Sequence, residues 1–438
     1  MGKASKLVLS LIVVLAGILP TITSTASEED GGWSGPSPLL EDQIFVIGPP
    51  RIDMGESGYA IAAWEKGEPK FCFEACHPNP SKAQIAIREP GSPAFGEEQN
   101  IAPGDTHGLE FGIAEDEDLA FFVWHTRKVG IQYRTHSPIV GFGPIQTLAD
   151  SAKRFSFDIA HDGTAAVSWQ ENGGPVVSLR APGGSFETPV PAPLDGIDQL
   201  SVAAEGGVAV VDEDDTVDSL EPLAASTMEP GQQSFGPREE IDRLRGFVSW
   251  PRIQMADDGT VAVLGDIEKR GDFQIRASVR PPGGAFGPAT DITGDLSGSF
   301  PEVDADATGR MIVVWQRYRG SHTPRLTAYS DGSGWAPSEP ISDDRAGFSW
   351  IDVAPAGQTI VGIEGLDDRK FTDALAVTSD DDLAFEDPRL IDRRSARNAL
   401  VQHDVAISSS GEAVAVWADG LYGRRTQIFV SSLAPSPR

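Results

Sequence analysis

Cysteine is almost absent. The 438-residue chain has two, Cys72 and Cys76, too few for a disulfide-dense scaffold or for a four-cysteine zinc module. Basic residues are scarce as well, 35 Lys and Arg against 65 Asp and Glu, for a formal net charge of −30. Such a chain repels nucleic acid and anionic lipid, and it favours cations or basic partners. Past Leu19 no run is apolar enough to anchor it in a bilayer. There is no Ser/His/Asp order, no Gly-rich phosphate loop and no basic stripe. His107, His125, His136, His161 and His322 are scattered without the spacing of a ligand set.

What is plentiful is glycine (47) and proline (33), and they punctuate short apolar runs. The clearest stretch is Gln254 to Leu264, which alternates around Asp258-Gly259, followed by Phe273 to Arg280, a Pro281-Pro282-Gly283-Gly284 break, and Ala285-Phe286-Gly287-Pro288. Period-two alternation between turn residues reads as four consecutive strands, termed A, B, C and D. An A-to-B turn recurs at Gly58, Asp118, Gly163, Gly207, Gly259, Gly309, Gly357 and Gly411, spaced 44 to 60 residues apart, the range of propeller blades. Strand B ends in tryptophan at Trp64, Trp124, Trp169, Trp315 and Trp417, and strand C carries Arg88, Arg134, Arg180 and Arg280.

An aromatic followed by a small residue marks strand D: Phe95, Phe142, Phe186, Phe235, Phe286, Trp335 and Phe385. The eighth set lacks it. An orphan copy stands near the other end, Gly32-Trp33-Ser34-Gly35-Pro36, matching Gly334-Trp335-Ala336-Pro337. A last blade built from both ends hides the open strand edges of such an array. The expectation is therefore an all-β, eight-bladed propeller of four-stranded antiparallel blades closed by the N-terminal strand. Seven blades is the alternative, because the fourth copy, Ser201 to Gly236, is interrupted by the charge run Asp212 to Asp218, read as a solvated loop. Lys3 and Lys6, the apolar run Leu7 to Leu19 and Ser24-Thr25-Ala26 read as an export signal over residues 1–26. Residues 27–438 then form one propeller domain: 31–42 the outer strand of the last blade, 44–399 blades one to seven, 400–438 the rest. The expected protein is secreted, extracellular or periplasmic, monomeric, and without a membrane anchor or nucleic-acid partner.

The hairpin turn, the aromatic-ended B strand and the shared terminal blade resemble the secreted bacterial propeller repeats grouped with the sialidase superfamily. That resemblance spans nearly the whole mature chain and implies the fold. It does not extend to the catalytic residues: only Ser330-Asp331-Gly332-Ser333-Gly334-Trp335 approaches an Asp box, with altered spacing. Tyr59, Tyr133, Tyr318, Tyr329 and Tyr422 lack the context of a nucleophile.

Three constellations bear on chemistry. Asp53, Asp158, Asp304, Asp352 and Asp404 fall at one register of strand A, between apolar neighbours. They either accept backbone hydrogen bonds between blades, the common use of buried carboxylates, or ring the channel and hold a structural cation such as calcium. Trp250, Phe300 and Phe348 precede strand A in three consecutive copies, near Arg245, Arg252 and Arg345. Aromatic plates beside guanidinium groups suit a sugar or an anion; as plugs between blades they are ordinary filler. Cys72 and Cys76, with His77, sit in the longest B-to-C insertion, where an exported chain would pin a loop with a disulfide. The functional expectation is a non-catalytic binding or interaction scaffold for extracellular glycan or protein. The alternative is a glycoside hydrolase or lyase acting on polysaccharide with carboxylates at the channel mouth.

Overall fold

The computed structural model describes residues 32–40, 44–46, 49–67, 82–102, 104, 106–150, 152, 154–213, 221–244, 248–269, 272–317, 323–330, 334–342, 346–367, 371–380, 383–395, 402–419 and 425–435. They form an all-β structure of eight antiparallel sheets, each run A-B-C-D from the inside out, arranged as an eight-bladed propeller. Strands A and B are Arg51–Met54 and Ala60–Lys66 in blade 1, His107–Ala114 and Leu119–Thr126 in blade 2, and Phe155–Ile159 and Ala165–Glu171 in blade 3. They are Gln199–Val202 and Val208–Glu213 in blade 4, Val248–Met255 and Val261–Lys269 in blade 5, and Gly298–Ala305 and Met311–Arg317 in blade 6. Blades 7 and 8 begin with Ala346–Val353 and Thr359–Asp367, and with Gln402–Ile407 and Ala413–Asp419. The fourth copy is a full blade. Its Asp212 lies within strand B, buried, with its carboxylate accepting the Gly196 N–H at 2.9 Å, so the start of that charge run is not solvated loop.

The hydrophobic cores lie between blades. Strand B of blade 1 sends Ala60, Ala62 and Trp64 against Val414 and Val416 of blade 8, and Ile61 and Ala63 against Phe122 and Trp124 of blade 2. Being covered on both faces, strand B has no polar face to display, which is why it reads as a continuous apolar run. Eight such clusters fill the eight junctions. Two of the strand C arginines brace the A-to-B turns, whereas Arg134 donates to the Gly143 and Ile101 carbonyls and Arg280 pairs with Glu229. Arg88 donates to the Gly58 carbonyl at 3.0 Å and pairs with Glu412 of blade 8, and Arg180 donates to the Gly163 carbonyl at 2.8 Å.

The aromatic marker stands ahead of the main part of strand D: in blades 2 and 6 it forms a short strand of its own paired with strand C, Gly141–Phe142 and Gly334–Trp335. In each of seven blades the residue after the aromatic donates its N–H to a carbonyl of strand C, as Gly96 to Ile87 at 2.7 Å and Gly287 to Val279 at 2.9 Å, and strand D proper starts four residues beyond the aromatic, at Gln99, Gln146, Val190, Glu239, Thr290, Glu339 and Arg389. The chain's beginning obeys the same rule. Ser34 after Trp33 donates to the Ser432 carbonyl at 2.8 Å, and Ser37–Pro38 pairs with Phe429 and Val430 of the last strand C, Arg425–Leu433. Trp33 is 2% exposed, packed with Trp417 and Phe429. Ile44–Phe45 pairs farther along the same strand.

Candidate functional site

The A strands line a central cavity of about 790 Å³, to which all eight blades contribute. One end is ringed by the A-to-B turns. Strand alternation aims every second side chain of these strands inward, and most of the polar ones are acidic: Asp53, Glu110, Glu115, Asp158, Glu302, Asp304, Asp352 and Asp404 all line the wall.

These carboxylates join neighbouring blades. Asp53 accepts the Ile113 N–H of blade 2 at 2.6 Å, Glu110 the Phe157 N–H of blade 3 at 2.6 Å, and Asp158 the Val202 N–H of blade 4 at 2.8 Å. Ser201 and Gln199 do the same for Met255 and Ile253 of blade 5. Asp304 takes Val353 of blade 7 at 2.8 Å, Asp352 takes Ile407 of blade 8 at 2.6 Å, and Asp404 takes Ile52 of blade 1 at 3.1 Å. Between blades 5 and 6 an ion pair stands in, Arg252 donating to both oxygens of Glu302 at 2.9 and 2.7 Å. Asp404 differs in register from the others. It lies three residues before the last paired position of its strand where Asp53 and Asp352 lie one before. It keeps the inward face because the displacement is two residues.

Confinement governs their ionisation. Burial holds Asp53 and Asp304 up to about 7, Asp158 and Asp404 up to about 6, Glu110 up to about 7 and Asp352 well above the carboxylate range. The backbone N–H donors pull the other way, and the mutual repulsion of the ring adds to burial. Glu115 is pushed up to about 10 by burial and by Asp352, Asp53 and Glu56. Its Oε2 is buried without a hydrogen-bond partner. Among the described residues no three acidic, histidine or cysteine side chains converge as ligands of one metal ion.

The aromatic and arginine candidates are dispersed. Trp250, Phe300 and Phe348 stand inside strand A rather than in the connections before it, beside the bulges Ser249/Arg252, Ser299/Glu302 and Ala346/Ser349. Phe300 is half-buried at φ +56°, with its N–H held by Asp266 at 3.2 Å. The side chains of Trp250 and Phe348, together with Arg245, Arg345, Cys72, Cys76 and His77, lie outside the described residues. Of the six ligand-face candidates, Arg252 reaches the cavity, and it is committed to Glu302.

Phe111 and Phe157 line the cavity, and so does Trp350, two residues past Phe348. Trp350 is half-buried and tilted against His403, with ring centroids 4.2 Å apart. Its strand partner is Gly362, where a side-chain carbon would stand 2.7 Å from the His403 ring. The glycine thus leaves the room in which His403 backs Trp350. Across blade 8 stands the exposed Arg51, whose charge draws both Asp404 and Glu110 down. Trp350 shares the inward register of Arg51, since each pairs three positions beyond the start of its strand B. That equivalence is visible in the sequence, since Trp350 precedes Gly357 by the same distance as Arg51 precedes Gly58. An aromatic plate, a guanidinium and hydrogen-bonding carboxylates therefore share one sector of the channel wall.

No family model matches this chain, and no curated protein matches it. Among solved structures it is similar to a protein of unknown function from Dyadobacter fermentans, at 10% identity over 92% of this chain and 100% of that one, with a TM-score of 0.46. It is similar to a prolyl endopeptidase, at 12% identity over 86% of this chain and 55% of that one, TM-score 0.48. A polysaccharide lyase, the PL25 ulvan lyase, aligns at 9% identity over 70% of this chain and 89% of that one, TM-score 0.44. At these identities the likeness concerns the fold alone.

Proposed function

We propose that this chain is an exported, non-catalytic scaffold that binds glycan in its central channel. The observation that carries the reading is Trp350, an aromatic plate set in the wall of a cavity of about 790 Å³ that Arg51, Asp404 and Glu110 also line. A cavity of that size suits a ligand of a few sugar units. An indole face suits the apolar face of a pyranose, and the polar groups around it suit hydroxyls. The same wall speaks against turnover, because oxygens of Asp53, Asp158, Asp304, Asp352 and Asp404 are engaged with backbone N–H groups of the next blade.

Titration of wild type and Trp350→Ala against a panel of neutral, amino and acidic oligosaccharides tests this. Retained fold with affinity lowered at least about tenfold, about 1.4 kcal/mol, is the expected result; unchanged affinity overturns it. One observation favours a glycan-cleaving enzyme instead: Glu115 is held protonated at neutral pH with a buried, unpartnered oxygen, the state a general acid needs. Release of shorter saccharides by wild type and not by Glu115→Gln would establish that second reading.

A further inference from the structure

At the A-to-B end of the channel the turns of four consecutive blades are knitted together. The Asp116 N–H of blade 2 donates to the His161 carbonyl of blade 3 at 3.2 Å. The His161 imidazole reaches past blade 4 to Asp257 of blade 5, Nδ1 to Oδ2 at 2.7 Å. The blade 4 turn is held from both sides beneath that pair. Asp257 Oδ1 accepts the Ala204 N–H at 2.9 Å, and Asp162 Oδ2 accepts the Glu205 N–H at 3.1 Å. Glu205 is held at φ +63°, a left-handed conformation that a non-glycine residue keeps only when its surroundings impose it. His161, Ala256 and Asp257 all line the cavity. We propose that His161 and Asp257 form a proton-operated clasp that closes the A-to-B end of the channel, making it a blind pit while the imidazole is charged and opening its floor when the proton leaves.

The groups facing His161 are acidic on every side: Asp257 on the blade 5 turn, Asp116 on the blade 2 turn and Asp162 on its own turn. Glu117 and Glu205, on the turns of blades 2 and 4, are exposed. The hydrogen bond to Asp257 first, then these charges, hold the imidazolium above the ordinary histidine range against the opposing effect of burial. The sign follows: the ion pair is fully present below the free-histidine value and is lost as pH rises through the raised one. Only the charged ring matches a carboxylate already engaged with Ala204; the neutral ring leaves a weaker hydrogen bond. The clasp is independent of what the channel binds.

Two measurements on the intact chain test it: the titration of His161 by NMR, and hydrogen exchange at the Ala204 and Glu205 amides, corrected for its intrinsic dependence on pH. In wild type the His161 midpoint is expected above 6.5, and both amides are expected to lose protection above that midpoint. Asp257→Asn is expected to shift the midpoint down, and His161→Gln, which keeps a hydrogen-bonding side chain without a titrating one, is expected to show no step. An unshifted midpoint in wild type, or protection without a step at it, overturns the proposal. Should Asp257→Asn fail to fold, the wild-type step against the flat His161→Gln profile decides.

Discussion

A carboxylate in strand A of this propeller belongs to two blades: in Asp53, Asp304 and Asp404 one oxygen accepts an N–H of its own strand and the other an N–H of a neighbouring blade. Asp352 illustrates the energetics. Its Oδ2 takes the Ile407 N–H at 2.6 Å, and its ionised form is disfavoured by burial and by the charges of Asp304 and Asp53. The two properties separate by mutation. Asp352→Ala orphans a buried donor and is expected to cost about 1–3 kcal/mol at pH 5, read from urea unfolding. Asp352→Asn keeps an acceptor oxygen and removes the charge, so it is expected to be no less stable than wild type at pH 8 and to flatten part of the pH dependence. Equal losses for both variants at pH 8 would sink this account. The positions of these carboxylates were legible from turn spacing, Asp404 excepted. Their partners were not, because each N–H belongs to a residue on the neighbouring blade, reached only after the ring forms. Arg252 makes the same point: beside Trp250 in sequence it suggests a ligand face, and in space it answers Glu302.

At the level of the strand, the aromatic-small motif is a closing bond of the C-to-D hairpin, set four residues before strand D. It recurs because one N–H must reach the strand C carbonyl at each turn, and the ring packs over the strand it leaves, as Phe142 does beneath the Arg134 guanidinium at 4.0 Å. Trp33 does this for the last blade across nearly the whole chain length. Trp33→Ala is expected to cost about 3–5 kcal/mol and to raise hydrogen exchange first in Arg425–Leu433, the strand it covers. Removal of the segment through Leu39 bares that strand's edge, so concentration-dependent association is expected by light scattering. A monomeric, fully protected truncated chain would contradict this. Strand B was readable from its apolar run and strand C from its arginines. The main part of strand D, four residues past the aromatic, was missed because its own residues, often two per blade, carry little hydrophobic signal.

For the molecule as a whole, the acidic channel makes stability depend on pH in an uncommon direction. Asp53, Asp158, Asp304, Asp404 and Glu110 are raised to about 6 or 7 from ordinary values of 3.8 for aspartate and 4.5 for glutamate. Their contribution is full below the unfolded values and is lost as pH rises through the folded ones. The melting temperature is therefore expected to climb as pH falls from 8 to 5, and high salt is expected to lessen the difference by screening the ring. A melting temperature that falls over that interval would refute it. The sequence by itself determined the repeating unit, the order of its strands and the joining of the two ends, and left eight blades against seven, because each rests on local alternation, turn chemistry and a repeated motif within some tens of residues. Only the tertiary structure decided what the inward carboxylates touch and that His161 meets Asp257. Those are contacts between blades, and a residue's neighbour across a junction is set by ring closure, bulges and register rather than by anything in its own repeat.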